Sequence, residues 1–196
     1  MTPVLIQDDE LLIPDMTDDQ FFEFCVQNRD HRIERTADGK VIVMSGTGGK
    51  TGNRNSRITV QLGNWAEETR HGEAFDSSSG FRLPNTAIRC PDGAWVSRSR
   101  LVQLSKHQKD RFLPLCPEFV IELRSPSDRL ADVKVKMMDY MENGCELGWL
   151  IDPETCRVTI YRTSGTETLE APAQLVGEGP VARFVLDMTR IWDPGW

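Results

Sequence analysis

Two carboxylates in the middle of the chain have the types and positions that metal-dependent hydrolysis requires. Asp92 follows Pro91 at the entrance of a predicted strand, and Glu122 lies 30 residues further on, within the apolar run Phe119–Leu123. A charged side chain is almost never fully buried without a partner. A Mg²⁺ ion bridging Asp92 and Glu122 would be such a partner, because hard divalent cations bind carboxylate oxygens. An ion held in this way polarises a phosphodiester and activates water.

Lys136 is the third candidate, on a predicted helix that follows Glu122. It lies four residues after Asp132 and one position from the apolar stripe of that helix, so that Asp128, Asp132 and Lys136 share one row. From this row Lys136 could border the site and stabilise or orient the attacking water. The spacing also allows a surface salt bridge between Lys136 and Asp132, and a purely structural pairing of the two carboxylates with an arginine such as Arg124.

A glycine-rich loop, Ser45–Gly52, offers a different chemistry. Its central residues 46–51 (GTGGKT) lie between a predicted strand and a predicted helix, where backbone N–H groups can cradle a phosphate. The phosphate-loop pattern requires a glycine at the position of Met44, which disfavours a nucleotide-binding role for Lys50. A flexible connection between a hairpin and a helix is the alternative.

The segment around this loop is basic. Between His31 and Gln61 there are six basic residues and two acidic ones, a local excess of four positive charges in a chain of net charge -7. A basic segment beside an acidic site can contact a nucleic-acid backbone, for which Lys50, Arg54 and Arg57 are the candidates. A solvated surface with no ligand explains the same composition.

Composition sets the class of protein. The 196 residues are 39% hydrophobic and 27% charged, which predicts one ordinary globular domain. The net charge of -7 argues against attachment to nucleic acid or membrane by bulk charge, and no apolar run reaches the length of about 18 residues that a membrane span needs. The acidic N-terminal sequence lacks the basic region of a secretory signal. Five cysteines without a CxxC spacing predict reduced thiols in a cytoplasm, and three isolated histidines leave carboxylates as the metal ligands.

Periodicity and turn signals place the candidates on alternating helices and strands. Residues 1–15 are expected to form an extended lead-in, and the capping box Thr17–Gln20 begins the first helix. The predicted helices are 17–29, 53–70 and 127–143, with a short one within 99–117. The predicted strands are 32–35, 41–44, 73–75, 80–83, 94–96, 119–123, 147–151 and 157–161, followed by weaker ones. This order predicts a single α/β or α+β domain over residues 1–196, with helices on a mixed sheet.

Short stretches distributed along residues 16–193 form a recognisable series. In order they are Met16-Thr17, Glu34 before Asp38-Gly39, Met44-Ser45 with the glycine loop, 80–84 (GFRLP), Pro91-Asp92, 119–128 (FVIELRSPSD), Lys136 with Tyr140, Gly144, and 148–153 (GWLIDP). In order and spacing the series resembles the Uma-type endonuclease family of the restriction-endonuclease-like, PD-(D/E)xK superfamily. The resemblance implies a restriction-endonuclease-like core, a mixed sheet with flanking helices, and a Mg²⁺ or Mn²⁺ site.

The resemblance also implies roles for individual residues. Asp92 matches the aspartate of the PD element, Glu122 matches the acidic residue of the ExK element, and Glu34 matches a further acidic residue that could bind the metal through water. The chain departs from the pattern because Arg124, not lysine, stands two residues after Glu122. Arginine can bind a phosphate but does not easily serve as a base. We therefore assign the lysine role to Lys136, with Arg124 as the alternative.

Together these features predict a Mg²⁺-dependent endonuclease that hydrolyses DNA phosphodiester bonds. Asp92 and Glu122 would hold the metal, and Lys136 would stabilise the developing charge. The candidates for phosphate contacts are Lys50, Arg54, Arg57 and Arg124. A homodimer would supply the two active sites that a double-strand cut needs, and no membrane partner is expected. The alternative is a catalytically inactive nucleic-acid-binding or scaffold protein on the same fold, which the acidic charge and the displaced lysine favour.

Overall fold

The computed structural model describes residues 10–12, 16–44 and 46–196. The strands are β1 (Glu10–Leu12), β2 (Arg32–Arg35), β3 (Lys40–Met44), β4 (Gly72–Asp76), β5 (Phe81–Arg82), β6 (Ile88–Arg89), β7 (Gly93–Ser97), β8 (Phe119–Leu123), β9 (Leu147–Asp152), β10 (Arg157–Arg162), β11 (Gly165–Glu170), β12 (Gln174–Val176) and β13 (Val185–Asp187). The helices are α1 (Asp18–Gln27), α2 (Gly49–Thr69), α3 (Arg98–Leu101), α4 (Lys106–Lys109), α5 (Leu130–Glu142) and α6 (Thr189–Trp192), and a 3₁₀ turn spans Gly179–Val181.

The described strands form two main sheets and a small β12–β13 hairpin. The larger sheet has the order β11-β10-β9-β8-β7-β4, in which β8 and β9 are parallel and are connected through α5. Its other neighbours pair antiparallel, which confirms the predicted mixed sheet with helices. The smaller sheet has the order β1-β3-β2-β6-β5 and is antiparallel. No helix in the described ranges has both the length and the hydrophobicity needed to cross a membrane.

Side chains of β8 alternate between two apolar cores, one on each face of the larger sheet. Phe119, Ile121 and Leu123 face the core that includes α2 and the C-terminal segment. Val120 faces the second core, which α5 covers with Met137 and Tyr140. The same alternation turns Glu122 toward α5, so a charge in an apolar strand lies on the face that the helix bearing Lys136 covers.

Several local signals are confirmed. Thr17 Oγ1 accepts a hydrogen bond from Gln20 N at 3.2 Å, and Gln20 Oε1 accepts one from Thr17 N at 2.9 Å, so the capping box begins α1. Gly39 has a positive φ of 87° in the turn between β2 and β3, which explains the hairpin signal. The predicted lead-in, 1–15, lies outside the described residues except for 10–12, which form β1 against β3.

The predicted glycine loop is too long. Helix α2 begins at Gly49, with Gly48 as its N-cap, so Lys50 lies in the first helical turn and not in the loop. The side chain of Thr51 is buried in that turn, and tertiary packing of this kind overrides the low helix propensity of Gly49 and Gly52.

The start of the third predicted helix is also wrong. A turn holds residues 125–128 outside the helix, because Ser125 N donates to Asp128 Oδ2 at 2.7 Å and Asp128 N donates to Ser125 O at 3.1 Å. Helix α5 therefore begins at Leu130, and Asp128 does not share a helical row with Asp132 and Lys136. The sequence also gave no signal for β6, a strand of two residues.

Candidate active site

Strand register brings Asp92 and Glu122 opposite each other. Strands β7 and β8 are antiparallel and pair Gly93 with Ile121, so Asp92, the residue before β7, lies opposite Glu122. The Oδ2 atom of Asp92 accepts a hydrogen bond from Leu123 N at 2.8 Å, and both carboxylates are buried. Like charges directly opposite on neighbouring strands repel each other, so this pair requires cations nearby.

Lys136 supplies one of these cations. Its Nζ lies 2.8 Å from Glu122 Oε1 and 2.7 Å from Glu34 Oε1, and it donates to the backbone oxygen of Cys90 at 3.3 Å. The alternative salt bridge with Asp132 is not formed, and Asp132 instead lies 3.9 Å from Arg129. Lys136 therefore connects α5 to carboxylates from both sheets.

Glu34 comes from the smaller sheet, so the cluster lies where the two sheets meet. Its Oε1 accepts a hydrogen bond from Cys90 N at 2.9 Å, and its Oε2 lies 3.3 Å from Arg89 Nη1. Arg89 is held in turn by Asp139 of α5, whose Oδ2 accepts its Nε hydrogen bond at 2.8 Å. The structure thus brings together Asp92, Glu122, Lys136 and Glu34, the residues that we predicted as catalytic.

Two further residues contact Asp92 and were not assigned roles from the sequence. Arg32 Nη1 lies 2.8 Å from Asp92 Oδ1, and Arg32 Nη2 donates to the backbone oxygen of Cys90. Asn55 Nδ2 also donates to Asp92 Oδ1, at 3.1 Å, while Asn55 Oδ1 is buried and has no hydrogen-bond partner among the described residues. The only sequence signal for Arg32 was its place in the basic segment, and Asn55 gave none beyond its position early in a helix.

The cluster shifts the pKa values of its members. Burial raises the pKa of Glu122 to about 7, with Asp92 adding to this rise and Lys136 opposing it. Burial also acts to raise the pKa of Glu34, but the positive charges of Lys136, Arg32 and Arg89 outweigh it and hold that pKa below its usual value. Burial acts to lower the pKa of Lys136, and the two glutamates reverse the effect and raise it. Glu122 therefore takes up a proton more readily than Glu34, while Lys136 stays charged.

Tyr140 also contacts the Glu122 carboxylate, because its hydroxyl donates to Oε1, the oxygen that Lys136 contacts, at 3.0 Å. We expect Tyr140→Phe to lower the free energy of unfolding by about 1.5 kcal/mol, the usual contribution of a hydrogen bond to a charged group. Urea denaturation measures the change. Tyr161→Phe is the matched control, because Tyr161 is also buried on the larger sheet and its hydroxyl makes no hydrogen bond to the described residues. Equal stability losses in the two variants would contradict the prediction.

Arg124 is not part of the cluster. Its Nη1 lies 3.1 Å from Asp152 Oδ2 and 2.7 Å from Glu154 Oε2, and its Nε donates to Asp128 O at 3.2 Å. The guanidinium therefore faces the turn between β9 and β10. The arginine that pairs with Asp92 is Arg32, which comes from a distant part of the chain.

The three basic residues of α2 have different surroundings. Arg54 Nε donates to Ile191 O at 2.7 Å and Arg54 Nη2 donates to Trp192 O at 3.3 Å, which fixes α6 against α2. Arg57 Nε donates to Asn53 Oδ1 at 3.1 Å, and Lys50 is exposed. The predicted phosphate contacts of these residues stay predictions.

Basic side chains separate the acidic ones of the cluster. Within residues 16–44 and 46–196, no three His, Cys, Asp or Glu side chains are grouped in a way that could hold a metal ion. Glu34 and Glu122 both contact Lys136, and Asp92 contacts Arg32. A divalent cation at Asp92 and Glu122 would therefore compete with the side chains that now neutralise them.

A family model and one solved structure among the comparisons with known proteins bear on the type of fold. A family model described as "Uma2: Putative restriction endonuclease" matches residues 18–189. A solved structure described as a putative nuclease belonging to DUF820, from Anabaena variabilis ATCC 29413, is similar with a TM-score of 0.69 at 22% identity, covering 82% of this chain and 89% of that one. A DrdV–DNA complex matches with a TM-score of 0.36 at 12% identity, over 58% of this chain and 9% of that one. No curated protein matches the chain significantly. The similarity to the Anabaena structure confirms the restriction-endonuclease-like fold.

Proposed function

Since the chain belongs to the Uma2 family of putative restriction endonucleases, we propose that it is a Mg²⁺- or Mn²⁺-dependent endonuclease that hydrolyses DNA phosphodiester bonds. Membership of this family supports a nuclease-like function. The observation that carries the proposal of metal-dependent DNA hydrolysis is the buried pair of opposed carboxylates, Asp92 and Glu122, with Lys136 in contact with Glu122. A charged cluster of this kind costs stability, and a metal-dependent reaction is the role that fits its chemistry.

The atoms around Asp92 suit a hard divalent cation. The contacts that Tyr140 and Lys136 make with Glu122 both fall on Oε1, which leaves Oε2 for a further partner. The buried Oδ1 of Asn55 has no partner among the described residues, although it belongs to the amide that contacts Asp92. Two carboxylates and an amide oxygen match the preference of Mg²⁺ for one or two carboxylates, further oxygen ligands and retained waters. We propose Asp92 and Glu122 as metal ligands, with Asn55 Oδ1 as a third oxygen.

Each side chain of the cluster has a task in this proposal. A divalent cation bound there would polarise the scissile phosphate and lower the pKa of its bound water. The hydrogen bond from Leu123 N orients Asp92, and the hydroxyl of Tyr140 orients Glu122. Lys136 stays charged and stabilises the negative charge that develops on the phosphate. Glu34 fixes the position of Lys136 through their 2.7 Å contact, and is proposed as a water-mediated ligand.

The DNA would be held by basic side chains outside the cluster. Lys50 is exposed at the start of α2, the helix that also carries Asn55, so we propose that it contacts a flanking phosphate together with Arg57. Arg54 and Arg124 would first have to release their present partners to do the same. We further propose a homodimer, because cutting both strands requires two active sites, and a cytoplasmic location, from the free cysteines.

The experiment that tests the function is cleavage of supercoiled plasmid by the purified protein. We expect nicked circles with Mg²⁺ or Mn²⁺, and none with EDTA or with the Glu122→Gln variant. Equal nicking with metal and with EDTA would rule out metal dependence. Intact plasmid under every condition would count against the endonuclease.

A catalytically inactive nucleic-acid-binding or scaffold protein is the second candidate. The observation that favours it is that Glu34, Asp92 and Glu122 already have cationic partners in the chain, which can hold the fold together without a metal. Thermal unfolding with and without Mn²⁺ separates the two candidates. Binding of Mn²⁺ stabilises a metalloenzyme by mass action, whereas a scaffold unfolds at the same temperature in both conditions.

A further inference from the structure

The carboxylates of the cluster are matched by basic side chains that differ in accessibility. Arg89 contacts Glu34, Lys136 contacts both Glu34 and Glu122, and Arg32 contacts Asp92. The side chains of Arg89, Lys136 and Arg32 are 8%, 13% and 26% exposed, respectively. Arg89 is held additionally by Asp139, and Lys136 contacts two carboxylates at once. Arg32 is therefore the member that can leave the cluster with the smallest loss of contacts.

The contacts of Arg32 leave its guanidinium incompletely used. Nη1 contacts Asp92 Oδ1 at 2.8 Å and Nη2 donates to Cys90 O, while Nε is buried without a hydrogen-bond partner among the described residues. A buried donor without a partner is unfavourable, so the present position of the side chain does not satisfy all of its groups.

The same contact occupies the oxygen that a metal would need. Asp92 Oδ1 accepts from both Arg32 and Asn55, and Oδ2 accepts from Leu123 N. A cation that binds Asp92 through Oδ1 therefore competes with the guanidinium, because two positive charges beside the same carboxylate oxygen repel each other.

We propose that Arg32 is the counter-ion that a divalent cation displaces from Asp92, and that its guanidinium then binds a phosphate of the substrate. This inference rests on the proposed function, since it concerns the same site. Arg32 lies at the first residue of β2, so the displaced guanidinium stays beside the site on a backbone held by the sheet. A guanidinium presents a planar set of donors that matches phosphate oxygens as well as it matches a carboxylate. Arg32 exchanges one anionic partner for another, and the buried Nε gains the chance of a hydrogen bond.

The proposal predicts opposite effects of one substitution on two ligands. In Arg32→Met the competitor at Asp92 is absent, so we expect Mn²⁺ to bind about fivefold more tightly in calorimetric titrations, the equivalent of about 1 kcal/mol for a partly exposed ion pair. DNA binding is measured by titrating the protein into a fluorescently labelled duplex, in buffer that contains Ca²⁺ in place of Mn²⁺ to slow cleavage. Arg32→Met should bind this duplex about fivefold more weakly than the wild type does, because a phosphate contact is lost.

Arg100→Met is the matched control. Arg100 also joins a buried carboxylate to the backbone oxygen of a cysteine, with Nη1 lying 3.0 Å from Glu118 Oε2 and 2.8 Å from Cys116 O, and neither contact involves Asp92. Arg100→Met removes the same charge as Arg32→Met, so we expect its affinities for Mn²⁺ and for DNA to stay within twofold of the wild type. Arg32→Lys is the second variant if Arg32→Met does not fold. Because lysine pairs with Asp92 more weakly than arginine does, we expect Arg32→Lys to bind Mn²⁺ more tightly than the wild type, by less than the fivefold expected for Arg32→Met.

The outcomes separate this inference from the proposed function. Tighter Mn²⁺ binding with weaker DNA binding in Arg32→Met supports the exchange of partners. If the wild type binds Mn²⁺ and Arg32→Met binds it equally or more weakly, the displacement is overturned and the metal site stands. Tighter Mn²⁺ binding with unchanged DNA binding overturns the phosphate contact. Absence of Mn²⁺ binding to the wild type would overturn the metal site itself, and with it this inference.

Discussion

Asp92→Asn should lower the initial rate of metal-dependent plasmid nicking by about a hundred- to a thousandfold, the loss typical of removing one group that stabilises a transition state electrostatically. Asparagine keeps the size of the side chain, and its carbonyl oxygen can still accept the hydrogen bond from Leu123 N that aspartate accepts at 2.8 Å. What it loses is the negative charge opposite Glu122. The rate is measured on supercoiled plasmid at the Mg²⁺ concentration that saturates the wild type.

Asp152→Asn is the matched control for this prediction. Asp152 is buried like Asp92 and is also paired with an arginine, with its Oδ2 lying 3.1 Å from Arg124 Nη1. It ends β9, outside the cluster. We expect a loss of stability in both variants but a loss of nicking only in Asp92→Asn. Comparable rates in the two variants would remove the special role of Asp92.

Lys136→Met should lower the free energy of unfolding by about 3–5 kcal/mol, as removal of one partner from a buried ion pair usually does. The methionine leaves Glu34 and Glu122 without the ammonium that lies 2.7 Å and 2.8 Å from their carboxylates. Arg89 and Arg32 neutralise only part of the remaining charge. Urea denaturation measures the change, and the variant should also be inactive, because the charge that stabilises the phosphate is gone.

Lys134→Met on the same helix controls for the loss of a lysine. Lys134 is exposed, and exposed substitutions of this kind usually change stability by no more than about 0.5 kcal/mol. Adding Glu122→Gln to Lys136→Met should restore part of the lost stability, because one unpaired buried charge is removed. If Lys136→Met unfolds at the urea concentration of the wild type, Lys136 does not hold the cluster together.

The part of the site that follows from local pattern was predictable from the sequence. An apolar strand containing Glu122, a strand entrance at Asp92 and an amphipathic helix with Lys136 beside its stripe are each visible within a short window. Once β7, β8 and α5 pack, the register of β7 with β8 places Asp92 opposite Glu122, and Lys136 contacts Glu122. Glu34 needed the resemblance, because no local pattern connects β2 with the larger sheet.

The contacts between the two sheets were not predictable in this way. Arg32 and Asp92 are separated by 60 residues, and Asn55 and Asp92 by 37. Their meeting depends on how the smaller sheet and α2 lie against the larger sheet, and hydrophobic periodicity carries no information on that. The partner of Arg54 was not predictable for the same reason. Its positive charge suggested a contact with a DNA phosphate, but its guanidinium donates hydrogen bonds to the backbone of α6.

Titration of Mn²⁺ into the protein by isothermal calorimetry tests most directly whether Asp92 and Glu122 hold a divalent cation. The proposed site predicts one Mn²⁺ ion per chain in the wild type, and no binding at the same concentrations in Asp92→Asn and in Glu122→Gln. The Asp152→Asn variant should bind like the wild type. Absence of binding to the wild type, or equal binding by wild type and Asp92→Asn, would contradict the metal site.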